Sequence, residues 1–471
     1  MRKTKIVCTL GPAVDDESLL RNLMLKGMNA ARFNFSHGEH ASHKALMDKF
    51  RKVRDELGLP IPAILDTKGP EIRTGKFAES TVEMQKGANV VITMNDDVGD
   101  AGHFSVSYKD LYREVKPGNK ILIDDGLVEM MVLSVNGTEI ECIVLNGGVI
   151  SSNKGVNVPN VNISLPALTD KDVADIRFGV ENGFDFIAAS FVRKASDVAE
   201  IKKVLEDCGG TDIRVIAKIE NRQGVENIDG IIEAADAIMV ARGDLGVEIP
   251  VFEVPILQKM MIRKCHQTGK PVIIATQMLD SMIRNPRPTR AEASDVANAV
   301  YDGTACVMLS GETASGKYPV ESVETMVNIV ETAEAAIRYW DIFKNDPSSM
   351  EKSVTNAISH ACCTTALDLE AAAIVTVTQS GHTARMLSRF RPQCVIVAVT
   401  VNERVQRQLS LSWGISAYLG EAVASTDELF EAGVKKALEA KAASRGDLVV
   451  ITAGVPVGVS GTTNLLKVQT L

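Results

Sequence analysis

The sequence has little that would tie the chain to a membrane, to nucleic acid or to an oxidising compartment. Its eight cysteines include no pair separated by two residues, so reduced core thiols are expected rather than a metal or redox centre. No apolar run approaches the ~20 residues of a membrane-spanning helix. The net charge of -9 argues against bulk binding to nucleic acid or to an anionic membrane. We therefore expect a cytoplasmic protein in which individual Arg and Lys residues hold any anionic ligand.

What the 471 residues do contain is a repeated pattern of apolar runs, each followed by an amphipathic helical stretch. The runs begin near Lys5, Ala31, Ala63, Phe186, Val215, Ala237, Val272 and Cys306. Most spacings suit a strand-helix unit, and polar residues follow the runs. Eight such units predict an α/β fold, a (β/α)8 TIM barrel with its site at the strand C-termini. An open doubly wound sheet is the alternative.

The period breaks between the third and fourth runs, where the pattern changes from helical to alternating. Segments 90–93, 120–123 and 139–144 are typical of strands, and Asn136-Gly137 indicates a hairpin. A small β domain is therefore predicted within the barrel. Its place after a barrel strand, at the active-site face, suggests a lid.

A third domain of α/β type follows a polar stretch after Trp340, with strands predicted near Ala373, Val395, Ile415 and Leu448. The predicted division of the chain is the barrel at 1–71 and 167–345, the inserted domain at 72–166 and the C-terminal domain at 346–471.

Charged residues concentrate after the fifth and sixth runs. Lys218 and Glu220 are two apart in a strand, so they point to the same side and enter the site together. After the next run, Gly243 allows close approach of the backbone to a ligand, and Asp244 is the natural second ligand for a hard cation held with Glu220. Mg²⁺ takes one or two carboxylates and completes its shell with substrate oxygens and water. A surface ion pair is the alternative for either motif alone.

Oxygen-bearing side chains follow the second and third runs. Such ligands suit a hard, weakly held cation, and the candidates are Asn34, Ser36, Asp66 and Thr67. His37, His40 and His43 lie nearby at a helix start, but they have no Cys or acidic partner at zinc spacing.

A hydroxyl- and glycine-rich turn follows the first strand of the third domain. It runs through Thr378, Gln379, Ser380, Gly381, His382 and Thr383. A strand, such a turn and then a helix can cradle a phosphate, and segment 458–463 could close over the same ligand. Ordinary helix capping is the alternative.

At this point the chain resembles the pyruvate kinases almost letter for letter in nine motifs across its length. They are ARFNFSHG (31–38), ILDTKGPEIRTG (64–75), NKGVNVP (153–159), AASFVRK (188–194), AKIEN (217–221), VARGDLGVEIP (240–250), ATQMLDSM (275–282), NPRPTRAEASDVANAV (285–300) and MLSGETASGKYP (308–319). The chain ends near the last strand of the third domain. The resemblance is therefore to the bacterial type without an extra C-terminal domain, and it implies that the inserted domain is a small β-barrel.

The resemblance implies a role for each matched residue. Glu220 and Asp244 would hold Mg²⁺ (or Mn²⁺), and K⁺ would be held by Asn34, Ser36, Asp66 and Thr67. Arg32 and Lys218 would contact the phosphoryl group in transit. The Gly243 and Asp244 backbone would bind the substrate carboxylate with the Thr276 hydroxyl, and Thr276 would also deliver a proton to the enol carbon. ADP or ATP would meet Asn34, His37, Arg73 and Lys154.

The implied reaction is phosphoenolpyruvate plus ADP giving pyruvate plus ATP in glycolysis. Such chemistry needs positioning and cations more than covalent steps. No P-loop is present to grip the nucleotide. The resemblance further implies a homotetramer and a phosphorylated allosteric effector, such as a sugar phosphate, at Thr378–Thr383. It links Glu71, where some relatives carry Lys, to K⁺ dependence. The rival hypotheses are a pyruvate-enolate lyase or aldolase and a catalytically inactive sensor.

Overall fold

A computed structural model describes residues 1–344, 352–423, 425–455 and 463–471. The strands of the first barrel segment are β1 (Lys5–Leu10), β2 (Ala30–Asn34) and β3 (Ala63–Asp66). Those of the inserted segment are β4 (Ile72–Arg73), β5 (Val82–Met84), β6 (Asn89–Thr93), β7 (His103–Ser105), β8 (Lys120–Ile123), β9 (Val128–Asn136), β10 (Glu139–Val144), β11 (Gly148–Ile150) and β12 (Gly155–Asn157). Then come β13 (Phe186–Ala189), β14 (Arg214–Ile219), β15 (Ala237–Ala241), β16 (Val272–Ala275) and β17 (Cys306–Leu309). The last are β18 (Ala373–Val377), β19 (Val395–Thr400), β20 (Ile415–Leu419), β21 (Leu448–Gly454) and β22 (Thr463–Thr470).

The helices that precede residue 253 are α1 (Glu17–Lys26), α2 (His40–Leu57), α3 (Leu111–Glu114), α4 (Asp170–Glu181), α5 (Ala195–Asp207), α6 (Arg222–Glu226), α7 (Ile228–Ala234) and α8 (Arg242–Glu248). The later ones are α9 (Val254–Thr268), α10 (Arg290–Tyr301), α11 (Gly311–Ala314), α12 (Pro319–Ala336), α13 (Tyr339–Lys344), α14 (Val354–Asp368), α15 (His382–Arg389), α16 (Glu403–Leu409) and α17 (Thr426–Glu439). Short 3-10 turns lie at Pro12–Val14 and Asp280–Ile283. No helix among these is both long and apolar enough to cross a membrane.

The eight predicted strand-helix units form a closed parallel barrel in the order β1-β17-β16-β15-β14-β13-β3-β2. Closure is made by β1, which pairs in parallel with both β17 and β2. All six residues of β1 are buried. Burial on both faces is why such strands carry continuous apolar runs instead of alternating ones. The barrel prediction is confirmed, and the open sheet is excluded.

The inserted segment folds into a seven-stranded sheet in the order β4-β12-β8-β9-β10-β6-β7, with a separate β5-β11 pair. The predicted hairpin at Asn136-Gly137 joins β9 to β10, and Gly137 has φ 62. The two edges of the large sheet meet, because Thr74 after β4 bridges Val106 after β7. The Ser107 N–H also donates to the Arg73 carbonyl at 2.8 Å. These bonds join the sheet to itself as a small barrel with its own apolar core.

The C-terminal segment is a five-stranded sheet in the order β20-β19-β18-β21-β22 with helices on its faces. Its four predicted strands are present. A fifth strand, β22, was not predicted from the sequence; it runs antiparallel to β21 at the edge of the sheet. The predicted domain boundary between residues 345 and 346, and the loop at 458–462, lie outside the described residues.

The C-terminal domain packs against the end of the barrel where the strands begin, through α16 and the loop that follows it. Leu411 and Trp413 share an apolar cluster with residues such as Val7 and Ile216 in the barrel. Arg407 donates to Asp185, which directly precedes β13, at 2.9 Å. The predicted active-site face is therefore at the opposite end of the barrel from this domain contact.

Candidate active site

Lys218 lies at the centre of the site because β14 carries it to the carboxyl end of the barrel. Its side chain is nearly buried, and its Nζ lies 2.9 Å from Glu220 Oε1 and 3.0 Å from Asp66 Oδ1. A third bond runs from Nζ to Ser190 Oγ at 2.7 Å. An ammonium has three donors, so all of them are engaged. Burial lowers the pKa of Lys218, but Asp66 and Glu220 outweigh burial and raise it above the ordinary lysine value.

Asp66 is the anion that balances two of the predicted phosphate-binding cations. It ends β3, and its Cα pairs in register with that of Asn34 on β2. One carboxylate oxygen accepts from Lys218 and the other from Arg32 Nε. Arg32 is also held by Thr9 Oγ1, at 3.0 Å from Nη1. Burial opposes ionisation of Asp66, yet the two cations outweigh it and hold the pKa of Asp66 below its ordinary range.

The two predicted magnesium ligands, the buried Glu220 and the half-buried Asp244, lie at neighbouring strand ends. Burial raises the pKa of Glu220 to about 7; Lys218 lowers this pKa and Asp244 raises it further. Burial likewise raises the pKa of Asp244, which Lys218 lowers and Asp125 of the inserted domain raises again. Two carboxylates that disfavour each other's ionisation are suited to a shared divalent cation. Among the described residues no cluster of three His, Cys, Asp or Glu side chains is placed to hold a metal.

Thr276 and Gly243 meet at the ends of β16 and β15. The Gly243 N–H donates to Thr276 Oγ1 at 2.7 Å, and this hydroxyl donates to the Ala275 carbonyl at 2.6 Å. Thr276 has φ 68, which is unusual for a β-branched residue. Strain of this kind costs on the order of 1–3 kcal/mol and concentrates at functional sites. The strained backbone turns the hydroxyl toward the first turn of α8, where Asp244 also lies.

The predicted potassium ligands gather around the end of β2 and β3. Asn34 Oδ1 accepts from the Ser36 N–H at 3.1 Å. Thr67 Oγ1 accepts from the Ser190 N–H at 3.2 Å. Asp66 precedes Thr67 in the chain and is the register partner of Asn34. His37 is exposed at the same end, and its carbonyl accepts from His43 Nε2 at 2.8 Å. His40 is instead bound to Asp175 at 2.7 Å.

The predicted nucleotide-binding cations lie at the junction with the inserted domain, and each has an acidic partner. Arg73 Nε donates to Glu71 at 2.7 Å, and Lys154 Nζ lies 2.9 Å from Asp124. A cavity of about 270 Å³ separates the inserted domain from the barrel here. Asn157 Nδ2 crosses its edge to donate to Glu248 Oε1 at 2.8 Å.

Two further residues contact the predicted site residues and were not predicted from the sequence. Ser190 accepts from Lys218 and donates to the Thr67 carbonyl at 2.6 Å. The N–H of Phe191, which has φ 55, donates to Glu220 Oε2 at 2.5 Å. A signal for Ser190 was present, since it is the first polar residue after the fourth apolar run. Nothing in the sequence indicated the left-handed backbone at Phe191.

The hydroxyl-rich turn of the C-terminal domain has its expected strand-turn-helix form. Thr378 Oγ1 accepts from the Gly381 N–H at 3.1 Å, and Gly381 has φ 75. Thr383 and Thr463 bond through their hydroxyls at 2.6 Å. The Ser380 carbonyl accepts from Arg385 at 3.1 Å. Gln379 and His382 complete the turn.

Comparisons with known proteins agree with this architecture. A family model described as pyruvate kinase, barrel domain, matches residues 1–323, and one described as pyruvate kinase, alpha/beta domain, matches residues 356–469. A pyruvate kinase of Clostridium acetobutylicum is 54% identical over 470 residues, covering 100% of this chain and 99% of that protein. One of Bacillus licheniformis is 53% identical, covering 99% of this chain and 80% of that protein. The crystal structure of a pyruvate kinase from Cryptosporidium parvum, 39% identical, matches with a TM-score of 0.95 and covers 100% of this chain and 96% of that one.

Proposed function

The chain belongs to the pyruvate kinase family, and we propose the residues by which it moves the phosphoryl group of phosphoenolpyruvate to ADP, giving pyruvate and ATP. The observation that carries this proposal is the position of Lys218 between Asp66 and Glu220 at the strand ends. The buried Lys218 ammonium lies between Arg32 and the acidic pair Glu220 and Asp244. This arrangement suits a phosphoryl group that is being transferred next to a metal cation.

Glu220 and Asp244 are proposed to hold Mg²⁺ or Mn²⁺. Their fit rests on the raised pKa of both carboxyls, since a divalent charge would favour the ionised form of each. The Phe191 N–H and Lys218 fix the Glu220 carboxylate from two sides, which limits its rotation. When bound, such an ion would stabilise charge on the phosphoryl oxygens and on the enolate.

Asn34, Ser36, Asp66 and Thr67 are proposed to hold K⁺. Their donors are oxygens only, and Asn34 and Asp66 are register partners on β2 and β3. Glu71 is expected to make the enzyme dependent on K⁺, because a lysine ammonium at that position could supply the positive charge of the ion. We expect Glu71→Lys to reduce the dependence of the rate on K⁺.

At the substrate end, Arg32 and Lys218 would bind the transferring phosphoryl group. Lys218 would exchange its bond to Ser190 for one to a phosphoryl oxygen, so Ser190 serves to position the ammonium in the meantime. The amides of Gly243 and Asp244 would bind the substrate carboxylate, for which Thr276 must release its bond to Gly243. The Thr276 hydroxyl would then deliver a proton, through water, to the enol carbon.

At the nucleotide end, Arg73, Lys154, His37 and Asn34 would contact ADP or ATP. Glu71 and Asp124 keep Arg73 and Lys154 ordered, and nucleotide phosphates would compete for them. The inserted domain at 72–166 would serve as the lid, with Asn157 and Glu248 as one of its latches. Closure would exclude water from the transfer step.

Regulation is proposed at Thr378–Thr383, where a phosphorylated effector such as a sugar phosphate would bind. The turn and the Thr383–Thr463 bond support this assignment, and Gln379 and His382 would add polar contacts. Calorimetric titration of an activating sugar phosphate should show binding that Thr383→Glu removes; unchanged binding would refute the site. We further propose that the protein is cytoplasmic and forms a homotetramer. The proposed domain bounds are 1–71 and 167–345 for the barrel and 346–471 for the C-terminal domain.

A lactate-dehydrogenase-coupled assay with phosphoenolpyruvate, Mg²⁺ and K⁺ tests the catalytic proposal. We expect pyruvate formation only when ADP is added. Pyruvate release without ADP would indicate transfer of the phosphoryl group to water, and no turnover of phosphoenolpyruvate under any condition would favour the lyase-type or sensor alternative. The lid, Arg73 and Lys154 favour the kinase, because a lyase needs no nucleotide clamp.

A further inference from the structure

A basic crevice lies between the start of the barrel strands and the C-terminal domain, at the opposite end from the active site. It has two chambers that share Gly269, Lys270, Pro271 and Ser412. The larger chamber measures about 220 Å³, and the smaller, at about 10 Å³, has room for roughly one water. The crevice therefore has the size for a small ligand rather than a drug-sized one.

Cations outnumber anions in the lining of this crevice. The larger chamber is lined by three basic side chains, Arg214, Lys270 and Arg385, and by His382, against one carboxylate, Asp236. Asp236 is already engaged, because Arg214 Nη1 lies 2.8 Å from it and it accepts from the Val215 N–H. Within the described part of the chain, no carboxylate lies within ion-pair distance of Arg385 or of Arg391, which lines the smaller chamber. A positive charge of this density is unexpected in a chain of net charge -9.

Two residues of the crevice carry buried polar atoms that lack a hydrogen-bond partner within the described part of the chain. These atoms are Nε and Nη1 of Arg391 and the Oγ of Ser412. Arg391 is 9% exposed and Ser412 is 3% exposed. The only hydrogen bond of Arg391 in the described structure is from Nη2 to the Gly303 carbonyl at 2.6 Å, and its guanidinium lies 4.5 Å from the Trp413 ring centroid. Ser412 lines both chambers.

The energetic cost of this arrangement indicates a missing anion. Burial lowers the pKa of Arg391 to about 9 and that of Arg385 to about 10; Glu334 opposes the shift of Arg391 and Asp236 that of Arg385, but neither reverses it. An unsatisfied buried polar group costs about 1–3 kcal/mol, and more when it is charged. A water in the smaller chamber would supply a hydrogen bond to Arg391 but no compensating charge. Guanidinium forks match phosphate oxygens in geometry as well as in charge.

We propose that this crevice binds a phosphate group, either free or on a small metabolite, through Arg385 and Ser412 with Arg391 behind them. The crevice borders the effector turn at His382, but the Thr383 hydroxyl of that turn bonds to Thr463 and does not line the crevice. Because the crevice is formed by both the barrel and the C-terminal domain, a bound phosphate joins the two and stabilises their contact.

Calorimetric titration of the full-length protein with inorganic phosphate, and separately with glycerol 3-phosphate, tests the site. Chelator is present and ionic strength is matched with chloride. Arg385→Gln keeps a donor for the Ser380 carbonyl but removes the charge. Ser412→Ala removes a hydroxyl that has no partner in the unliganded protein. The matched control is Arg445→Gln, an exposed arginine of the same domain, and Lys218→Met controls for phosphate bound at the active site.

We expect phosphate to bind and to raise the thermal midpoint by a few °C by mass action. Arg385→Gln should weaken binding about tenfold or more, which corresponds to about 1.4 kcal/mol, and Ser412→Ala should weaken it less. Arg445→Gln and Lys218→Met should leave it unchanged. Tighter binding of glycerol 3-phosphate than of phosphate would identify an ester as the ligand; equal binding would identify the free ion. No binding, binding unaffected by Arg385→Gln and Ser412→Ala, or binding removed only by Thr383→Glu would each overturn the proposal.

Discussion

The two ends of the barrel bury cations in opposite ways. At the carboxyl end, Lys218 has Asp66 and Glu220 as partners, and its pKa is raised above the ordinary value. At the other end, Arg391 is buried to a similar degree without a carboxylate partner in the described structure, and its pKa is lowered to about 9. Burial acts in the same direction on both groups. The difference comes from the neighbouring carboxylates, which outweigh burial at Lys218 but not at Arg391. The charges at the carboxyl end are therefore compensated before any ligand binds.

The difference has a functional meaning. A site that must bind and release a phosphoryl group in every turnover benefits from internal carboxylates that hold its cations in place between substrates. Lys218 and Arg32 share Asp66 in this way. Among the described residues, no carboxylate lies within ion-pair distance of Arg385 or Arg391 in the crevice, so a ligand that stays bound would complete it. Four substitutions test this contrast.

Glu220→Gln should have the largest effect. The amide cannot supply the negative charge that a shared divalent cation needs, and several kcal/mol of transition-state stabilisation would be lost. We expect kcat to fall about 10³-fold or more, with weaker Mg²⁺ dependence in the coupled assay. Glu200→Gln, an exposed residue of α5, is the matched control and should keep the parent rate. Near-normal turnover of Glu220→Gln would contradict the assignment.

Asp66→Asn should cost the most stability. It leaves Arg32 and Lys218 without their shared counter-charge, and removing one partner of a buried ion pair costs roughly 3–5 kcal/mol. Urea unfolding should show a correspondingly lower midpoint at an unchanged slope. A midpoint equal to that of the parent would mean that the two cations are balanced by other groups.

Arg391→Gln is the counterpart at the other end of the barrel. It removes a buried charge that has no carboxylate partner among the described residues, together with one hydrogen bond and the contact with Trp413. These losses and gains oppose each other, so the free energy of unfolding should stay within about 1 kcal/mol of the parent. The same urea titration measures it. A fall in the free energy of unfolding as large as that of Asp66→Asn would mean that the buried cations at the two ends are equally well stabilised.

Asn157→Ala should have the smallest effect. It removes one partly buried hydrogen bond between the inserted domain and Glu248, which is worth about 1 kcal/mol. We expect the KM for ADP to rise no more than about fivefold, with kcat nearly unchanged, because the other lid contacts remain. Asn136→Ala, at an exposed hairpin tip of the same domain, is the control. A large fall in kcat would give Asn157 a role in the transfer step itself.

The fold was predictable where the signal is local. Each barrel strand is an apolar run bounded by turn residues, and the period of two along β14 placed Lys218 and Glu220 on one side of the strand. β22 was missed because Thr463–Thr470 is a partly exposed edge strand, whose mixed burial gives no continuous apolar run. The hairpin between β9 and β10 was predictable because the Asn-Gly dipeptide strongly favours a two-residue hairpin turn.

The site was predictable as a set of residues but not as a network. The sequence indicated Asp66 as an oxygen ligand, but the bond to Lys218 joins residues 152 positions apart. Such a pairing depends on strand order, which places β3 beside β13 and β13 beside β14. The crevice is less visible still. Its cations come from β14, α15 and loops of two domains, and each of them alone resembles an ordinary surface arginine or lysine.

The role given to Lys218 is tested most directly by single-turnover phosphoryl transfer in Lys218→Met. Methionine keeps the length and apolar stem of the side chain but removes the ammonium. We expect far-UV circular dichroism and Mn²⁺ binding, followed by electron paramagnetic resonance, to remain close to the parent, while transfer from phosphoenolpyruvate to ADP falls by about 10³-fold. Transfer within tenfold of the parent rate, with the metal still bound, would show that Lys218 does not stabilise the phosphoryl group in flight.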